Sequence, residues 1–519
     1  MRPPLDRPTQ RAHPWRRGDV LLLSAFSVIC FAAALLSADR KILSGDELVT
    51  LYVATLPSAR DVWAAIVGGD VLPPLGHFLT RASIALLGPS QVAIRLPEAI
   101  GYWLMSICIY AFVRRYTATA SAGVAMLIPA CTAAYGYAYE ARPYGLMLGA
   151  GAAVLLCWQR ASEGTNRVSW LIGLTLSVAA AVSSHWYALL VMIPLGLGEL
   201  VRLLRRGRLD VPMFGAILVG VMPLIGFLPI MRTGRSVQHL TAQQWTLRAG
   251  AIAVVDAYDK LLAGAAPLFL AILLILAWCA RATSARIEES EGSSVPAEVR
   301  AALLGFLLIP IAGVILASTA VGEFNVRYVL LTVIGVAGAA GLGMAQLAER
   351  RRVTGIALLA AAVIASLSHA AQAKIALFER SSIADRSGLF AILGCSSALE
   401  DSGEPIVVTD VHSYYILNHY APPALANRLV YVTEYNAMAS AVARRMKRQS
   451  GGRTMEYKEF TEHNPKFLVY ESQYATGQIA SPLLPRLVVD GNRITDSGCI
   501  DARDVYPRPG QLYRVTNPR

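Results

Sequence analysis

Two adjacent carboxylates, Asp46 and Glu47, stand in the stretch LSGDELVTLY, directly after an apolar run from Val20 to Ala38. Charge beside lipid is costly, so ionisable groups at membrane depth are functional candidates by default. A carboxylate placed there can take a proton from an attacking hydroxyl, or orient a basic partner. The plainer alternative is a solvated loop with ordinary charges. Against it, the flanks ILSG and LVTLYVATL are apolar and embed the pair in a hydrophobic surface.

Three other stretches carry polar chemistry. AYGYAYEARPYGLM (134–147) combines Glu140 and Arg142 with four tyrosines, one of them Tyr144. SSHWYALL (183–190) holds His185 and Tyr187, and GEFNVRYVLL (322–331) holds Arg327 and Tyr328. Each has a bland reading: an interfacial aromatic belt with Arg142 neutralising Glu140, an interfacial hydrogen-bonding histidine, and an arginine whose head snorkels to water. Arg327 is also of the right type to grip a lipid phosphate. Carboxylates, arginines, a histidine and aromatics from separate loops on one membrane face suit a shared polar cavity.

The elements that must position them are membrane spans. Of 519 residues, 55% are hydrophobic and 16% charged, against about 25% charged in soluble proteins. The mean hydropathy is +0.47. The chain therefore reads as an α-helical polytopic membrane protein. The net charge of +12 does not indicate a nucleic-acid partner, because no basic face with interleaved aromatics accompanies it. Spans of about 20 apolar residues can be drawn at 20–38, 92–112, 118–136, 144–159, 168–184, 186–203, 212–231, 264–280, 301–320, 328–347 and 354–371, eleven in all. One set of connectors is rich in arginine (Arg11/Arg16/Arg17, Arg114/Arg115, Arg160/Arg167, Arg202/Arg205/Arg206/Arg208, Arg281/Arg286, Arg350/Arg351/Arg352) and the other is poor. The positive-inside rule makes the first set cytoplasmic, and an odd span count exports everything after Ala371. The basic leader before the first span reads as a retained signal anchor rather than a cleaved signal peptide, since its apolar stretch exceeds a typical signal core.

This gives two domains, a transmembrane module over 1–371 and a soluble extracytoplasmic α/β domain over 372–519. The first outer loop, 39–91, is partly amphipathic, and SARDVWAAIVGGD and PPLGHFLTRASIALLG within it read as short interfacial helices. Another such helix is expected in TAQQWTLRAGAIAVVDAYDKLL. In the tail, strands are expected at 405–410, 428–433, 466–472, 486–491 and 511–516, with helical segments at 374–394 and 435–449. The seven cysteines show no metal-ligand spacing. Cys395 and Cys499, the two in the exported domain, could form a disulfide in an oxidising compartment.

The order of these motifs resembles the GT-C superfamily of membrane glycosyltransferases, in its protein mannosyltransferase, aminoarabinose transferase and RgtA/B/C/D-like branch. The matching pieces are Asp46-Glu47, LPPLGHFL, IRLPEAIG, YEARPYGL, SHWYALL and VRYVLL, over roughly residues 20–350. One departure is that Leu72 stands where the family usually has a histidine, with His77 nearby.

The resemblance implies an enzyme of the bacterial inner membrane. It would move a hexosyl or pentosyl unit from a polyprenyl-phosphate carrier to a glycan, lipid or protein acceptor outside the cytoplasm, by one inverting displacement. Asp46 would be the general base and Glu47 would orient neighbouring groups. Arg95, Arg327 and Tyr328 would hold the carrier phosphate, where negative charge grows as it leaves. Glu140, Arg142, Tyr144, His185, Tyr187 and His77 would line the substrate side. No cofactor is required; a divalent metal on Asp46, Glu140 and His185 is compatible with the residue types but not demanded by their spacing. The rival class is a polyprenyl-linked glycolipid transporter or flippase. It is disfavoured because the inverted repeats and paired broken helices of transporters are not evident in the sequence.

The charge asymmetry generates a direct test of orientation. A reporter active only in the cytoplasm, fused after Arg519, should be silent. An active fusion would mean a span count wrong by an odd number.

Overall fold

The computed structural model describes residues 15–241, 251–262, 295–321, 324–350, 403–433, 453–472, 483–500 and 510–517, with isolated helical residues between 357 and 372. The expected span at 264–280, most of that at 354–371, the helices at 374–394 and 435–449, and Cys395 with its disulfide lie outside the described residues. The chain divides into two compact units. One comprises 1–35, 96–226 and 245–372; the other comprises 36–95, 227–244 and 373–519.

The first unit is helical. Among the described residues, four helices of the chain are long and apolar enough to cross a membrane: Arg17–Arg40, Gln91–Arg114, Arg167–Ser184 and Trp186–Arg206. Three bent pairs raise the number to as many as seven. One pair joins Thr119–Cys131 to Ala133–Tyr139 at 78°, another is Val211–Gly226 with Leu228–Gly234, and the third joins Ala297–Leu307 to Ile309–Thr319 at 45°. Pro129, Pro229 and Pro310 lie at or near the respective breaks. A proline lacks the N–H that would continue the helical ladder and its ring crowds the preceding turn, so a bend follows. The helix Tyr144–Glu163 starts after Pro143 and stops at Gly164, which takes the left-handed conformation (φ 88°) that favours glycine.

Many of the connector arginines are ends of internal ties. Arg114 donates to Asp19 through Nε at 2.7 Å, and Thr119 donates to the same carboxylate at 2.8 Å. Glu199 accepts from Trp158 Nε1 at 2.6 Å and from Arg202, which reaches on to Asp210 at 2.9 Å. Asp210 also caps its own helix and pairs with Arg167. These carboxylates are buried or nearly so, and each is matched by several donors, the condition under which a buried charge is tolerated.

In the second unit, the segment after the first span forms helices at Gly45–Ala54, Ala59–Ala65 and Leu75–Leu87. The C-terminal part holds a six-stranded sheet in the order β3-β2-β1-β4-β6-β5. Its strands are β1 (Ile406–Val408), β2 (Leu429–Thr433), β3 (Thr454–Glu456), β4 (Lys466–Ser472), β5 (Arg493–Ile500) and β6 (Gly510–Thr516). β1 runs parallel to β2 and β4, and β3 parallel to β2; β6 is antiparallel to both β4 and β5. All residues of β1 and β2 are buried, as expected of central parallel strands covered on both faces. The helix Val411–Tyr420 lies in the crossover between them.

One expected strand is corrected. Residues 486–491 are not extended; the helix Leu483–Val489 occupies most of them. Leu483 and Leu487, one turn apart, are buried while Val488 and Val489 are 59% and 78% exposed. That is helical rather than alternating periodicity, and a short apolar run cannot distinguish the two by composition alone. The strand comes just afterwards, as β5.

The helices Gln91–Arg114 and Tyr144–Glu163 touch backbone to backbone. A Cβ on Gly101 would meet the backbone of Gly145, and one on Gly145 would meet the Glu98 carbonyl. Small residues permit such close approach, where dispersion contacts are dense. Replacing Gly145 by leucine should wedge the helices apart at a cost of about 1–3 kcal/mol. It should lower the thermal midpoint of the detergent-solubilised protein, whereas Gly215→Leu, at an open position, should not.

Candidate active site

The acidic pair opens the helix Gly45–Ala54. Ser44 is its N-cap, accepting from the Glu47 N–H at 3.3 Å while its own N–H donates to Glu47 Oε2 at 2.9 Å. This reciprocal capping box satisfies two N–H groups that a helix start would otherwise leave bare. It also turns Glu47 inward and leaves Asp46, one position earlier, on a different face.

Glu47 is fully buried and forms a two-pronged ion pair with Arg95, Nε to Oε1 at 2.7 Å and Nη2 to Oε2 at 2.9 Å. Lys41 Nζ lies 3.8 Å from Oε2. Arg95 donates further to the carbonyls of Ala38 and Lys41, both at 2.6 Å, and of Ile42 at 2.9 Å. A guanidinium has five N–H donors, and all five are used here. Arg95 was expected at the carrier phosphate; buried and saturated, it has no N–H left for one. It serves instead to fasten the end of the first span to the acidic helix. Asp46 keeps 29% of its side-chain surface exposed, with His412 Nδ1 3.8 Å from its Oδ1.

His77 is buried on the helix Leu75–Leu87, its Nε2 3.0 Å from Asp70 Oδ2. Between them Val71 adopts a positive φ of 55°, a strained state for a β-branched residue. Asp70 carried no sequence signal, since Gly69 and the Pro73-Pro74 turn break any periodicity that would relate it to His77.

The first unit contains a second polar group. His185 follows the helix Arg167–Ser184 and accepts from the Tyr187 N–H at 3.2 Å. Its ring lies 5.0 Å from that of Tyr144 and 5.9 Å from those of Tyr187 and Tyr328. Tyr187 and Tyr328 stack at 4.2 Å with planes 8° apart. The Arg327 guanidinium stands 5.8 Å from the Tyr144 ring centre and 5.7 Å from that of Tyr328, within cation–π range. Burial, then the positive charges of Arg142 and Arg327, hold the His185 pKa well below its usual value, so the imidazole is neutral at physiological pH. Arg142 is itself buried, and Glu140, half-buried, begins the turn in which the Arg142 N–H donates to the Glu140 carbonyl at 2.7 Å. Glu98, which sequence reading passed over inside IRLPEAIG, is buried here and accepts from the Leu146 N–H at 2.9 Å.

Of the expected residues, Asp46, Glu47, Arg95 and His77 thus belong to one unit, and Glu140, Arg142, Tyr144, His185, Tyr187, Arg327 and Tyr328 to the other. Among the described residues, no group of three or more His, Cys, Asp and Glu is placed to hold a metal ion. The Asp46, Glu140 and His185 set is divided between the units.

These elements define a polytopic helical membrane protein of the GT-C fold with a C-terminal α/β region. The family model for dolichyl-phosphate-mannose-protein mannosyltransferases matches residues 71–231. The chain is similar to the crystal structure of ArnT from Cupriavidus metallidurans in the apo state, at 13% identity and a TM-score of 0.60, over 96% of this chain and 98% of that one. The structure of the same ArnT bound to undecaprenyl phosphate matches with the same values. No curated protein sequence matches the chain.

The buried ion pair predicts an acid sensitivity. Burial pushes the Glu47 pKa up, but the Arg95 and Lys41 charges and the hydrogen bonds outweigh it and hold the carboxyl at about 2, against an ordinary 4.5. Because the folded value lies below the unfolded one, this group's stabilisation is whole above pH 4.5 and is lost as the pH falls towards 2. Glu47→Gln strands the Arg95 charge, a change that typically costs about 3–5 kcal/mol. The variant should melt well below the wild type at pH 7, and the gap between them should narrow below pH 4.5. Equal melting at pH 7 would refute the anchoring role.

Proposed function

We propose that the protein is a glycosyltransferase of the bacterial inner membrane that uses a polyprenyl-phosphate-linked sugar and an acceptor outside the cytoplasm. The observation that carries this reading is the split fate of the acidic pair on a GT-C scaffold. Glu47 is engaged in the buried ion pair, while Asp46, at the start of the same helix, stays reachable from solvent. A carboxylate so placed suits a general base that takes the proton of an acceptor hydroxyl as its oxygen attacks the anomeric carbon.

The carrier is taken to be a polyprenyl phosphate of the kind held by the similar ArnT structure, undecaprenyl phosphate. As the bond between the anomeric carbon and the phosphate oxygen breaks, the leaving phosphate gains negative charge. Arg327 is the group assigned to it, with Tyr328 beside it. Its guanidinium stands within cation–π range of the Tyr144 and Tyr328 rings, and a guanidinium is of the right type to grip a phosphate. Arg142, Glu140, Tyr144, His185 and Tyr187 are assigned to the walls that receive sugar or acceptor. One displacement of this kind inverts the anomeric configuration. The acceptor is a glycan, lipid or protein, and the tail from residue 372 is assigned to the same outer side.

Asp46→Asn keeps the shape of the side chain and removes its basicity, so sugar transfer should fall by about 10²–10⁴-fold. Binding of undecaprenyl phosphate to the purified protein should persist. Arg327→Ala should lower both transfer and binding. Near-normal transfer by Asp46→Asn, read as consumption of the lipid-linked sugar in a strain lacking the chromosomal gene, would remove Asp46 as the base.

A further inference from the structure

His412 belongs to the helix Val411–Tyr420 of the C-terminal region, more than 360 residues from Asp46 in sequence. In the fold the two side chains meet, Nδ1 to Oδ1 at 3.8 Å, each with 29% of its surface exposed. We infer that His412 is a positioning residue for Asp46, so that the C-terminal region supplies part of the reacting site. The inference deepens the proposed function and rests on its assignment of Asp46 as the base.

The approach of the two helices is built in at several points. A Cβ on Gly45 would lie 2.6 Å from the His412 Cβ and 2.8 Å from its Cα, so only glycine at that position lets the helices come this close. The Tyr420 hydroxyl accepts from the Leu43 N–H at 2.7 Å, and the Tyr52 hydroxyl pairs with His419 Nδ1 at 3.2 Å. The Tyr52 and Tyr415 rings lie 5.6 Å apart. Residues 412, 415 and 419 follow the spacing of one helical face, and that face is laid along the acidic helix. Asp410 caps the first turn, accepting from the Ser413 N–H at 2.7 Å, which fixes the turn bearing His412.

A separation of 3.8 Å is within ion-pair range but longer than a hydrogen bond. Contacts of this kind often tighten once substrate is bound. An imidazole N–H there restricts the rotamer of the carboxylate, and a base misplaced by about 1 Å can lose 10²-fold in rate. Phosphate binding is not expected to depend on the contact, which distinguishes positioning from folding.

The test uses the full-length protein. Transfer is read in a strain lacking the chromosomal gene, as unconsumed lipid-linked sugar per folded enzyme, and binding is measured with undecaprenyl phosphate on purified protein. His412→Leu, of similar bulk, should lower transfer by about 10–100-fold with binding and folded yield unchanged. His412→Asn, which carries an N–H near the place of Nδ1, should recover most of that loss. If Asp46→Asn abolishes transfer but His412→Leu does not lower it, the base assignment stands and the positioning assignment falls. Equal losses for the Leu and Asn variants, or a loss of yield and binding in step with transfer, would reduce His412 to a packing contact and overturn the inference. Full transfer by Asp46→Asn would remove the base reading, and the role of His412 with it.

Discussion

The Glu47–Arg95 pair is the constraint on which the rest of the candidate site depends. Removing two charges from water is costly, and the cost is met only when every donor and acceptor finds a partner. Arg95 meets that condition with two carboxylate oxygens and three carbonyls at the end of the first span. The result is a joint with one geometry. It sets where the helix Gly45–Ala54 begins, and with it the direction of Asp46. Successive residues on a helix point about 100° apart, so burying Glu47 turns its neighbour away. Two residues of the same chemical type thereby take different places, one buried in the ion pair and the other partly exposed.

Much of the membrane fold was legible because apolar length and motif order are local properties. The runs at 20–38, 92–112, 168–184 and 186–203 are all helices, and the prolines near the bends were visible in the sequence. What could not be read was how residues distant in sequence complete one another. Arg95 has the chemistry of a phosphate ligand, and only its five internal acceptors show that it is already occupied. Asp70 and His412 gave no signal of their own, because neither shares a helical period or a motif with its partner. The strand expected at 486–491 failed for a related reason: Leu483 lies outside the apolar run that suggested it, yet its burial with Leu487 shows the helical face.

The arginines illustrate how one residue type is sorted by its surroundings. Arg95, Arg114 and Arg202 are matched to buried carboxylates and tie helices together. Arg114 and Arg202 also belong to the clusters read as a topology signal, so in this chain that signal and helix anchoring share residues. Arg327 stands within cation–π range of the Tyr144 and Tyr328 rings. A ring quadrupole attracts a cation weakly and leaves its formal charge intact.

The C-terminal sheet supplies the rigidity that the inferred contact needs. A side chain on a long loop could reach Asp46 but would not hold a geometry, because ordering it would consume conformational entropy at every encounter. His412 instead lies in the first turn of a capped helix directly after β1 and ahead of β2, two strands without an exposed residue. Their register, Ile406 opposite Leu429 and Val407 opposite Val430, fixes both ends of that crossover. The buried Tyr414 and Tyr415 pack it in place. The acidic helix is fixed equally firmly from the other side by its capping box and the Arg95 joint. Asp46 and His412 thus face each other from two anchored helices, with Gly45 setting the distance. Such a scaffold can hold a carboxylate rotamer within the tolerance that proton transfer requires.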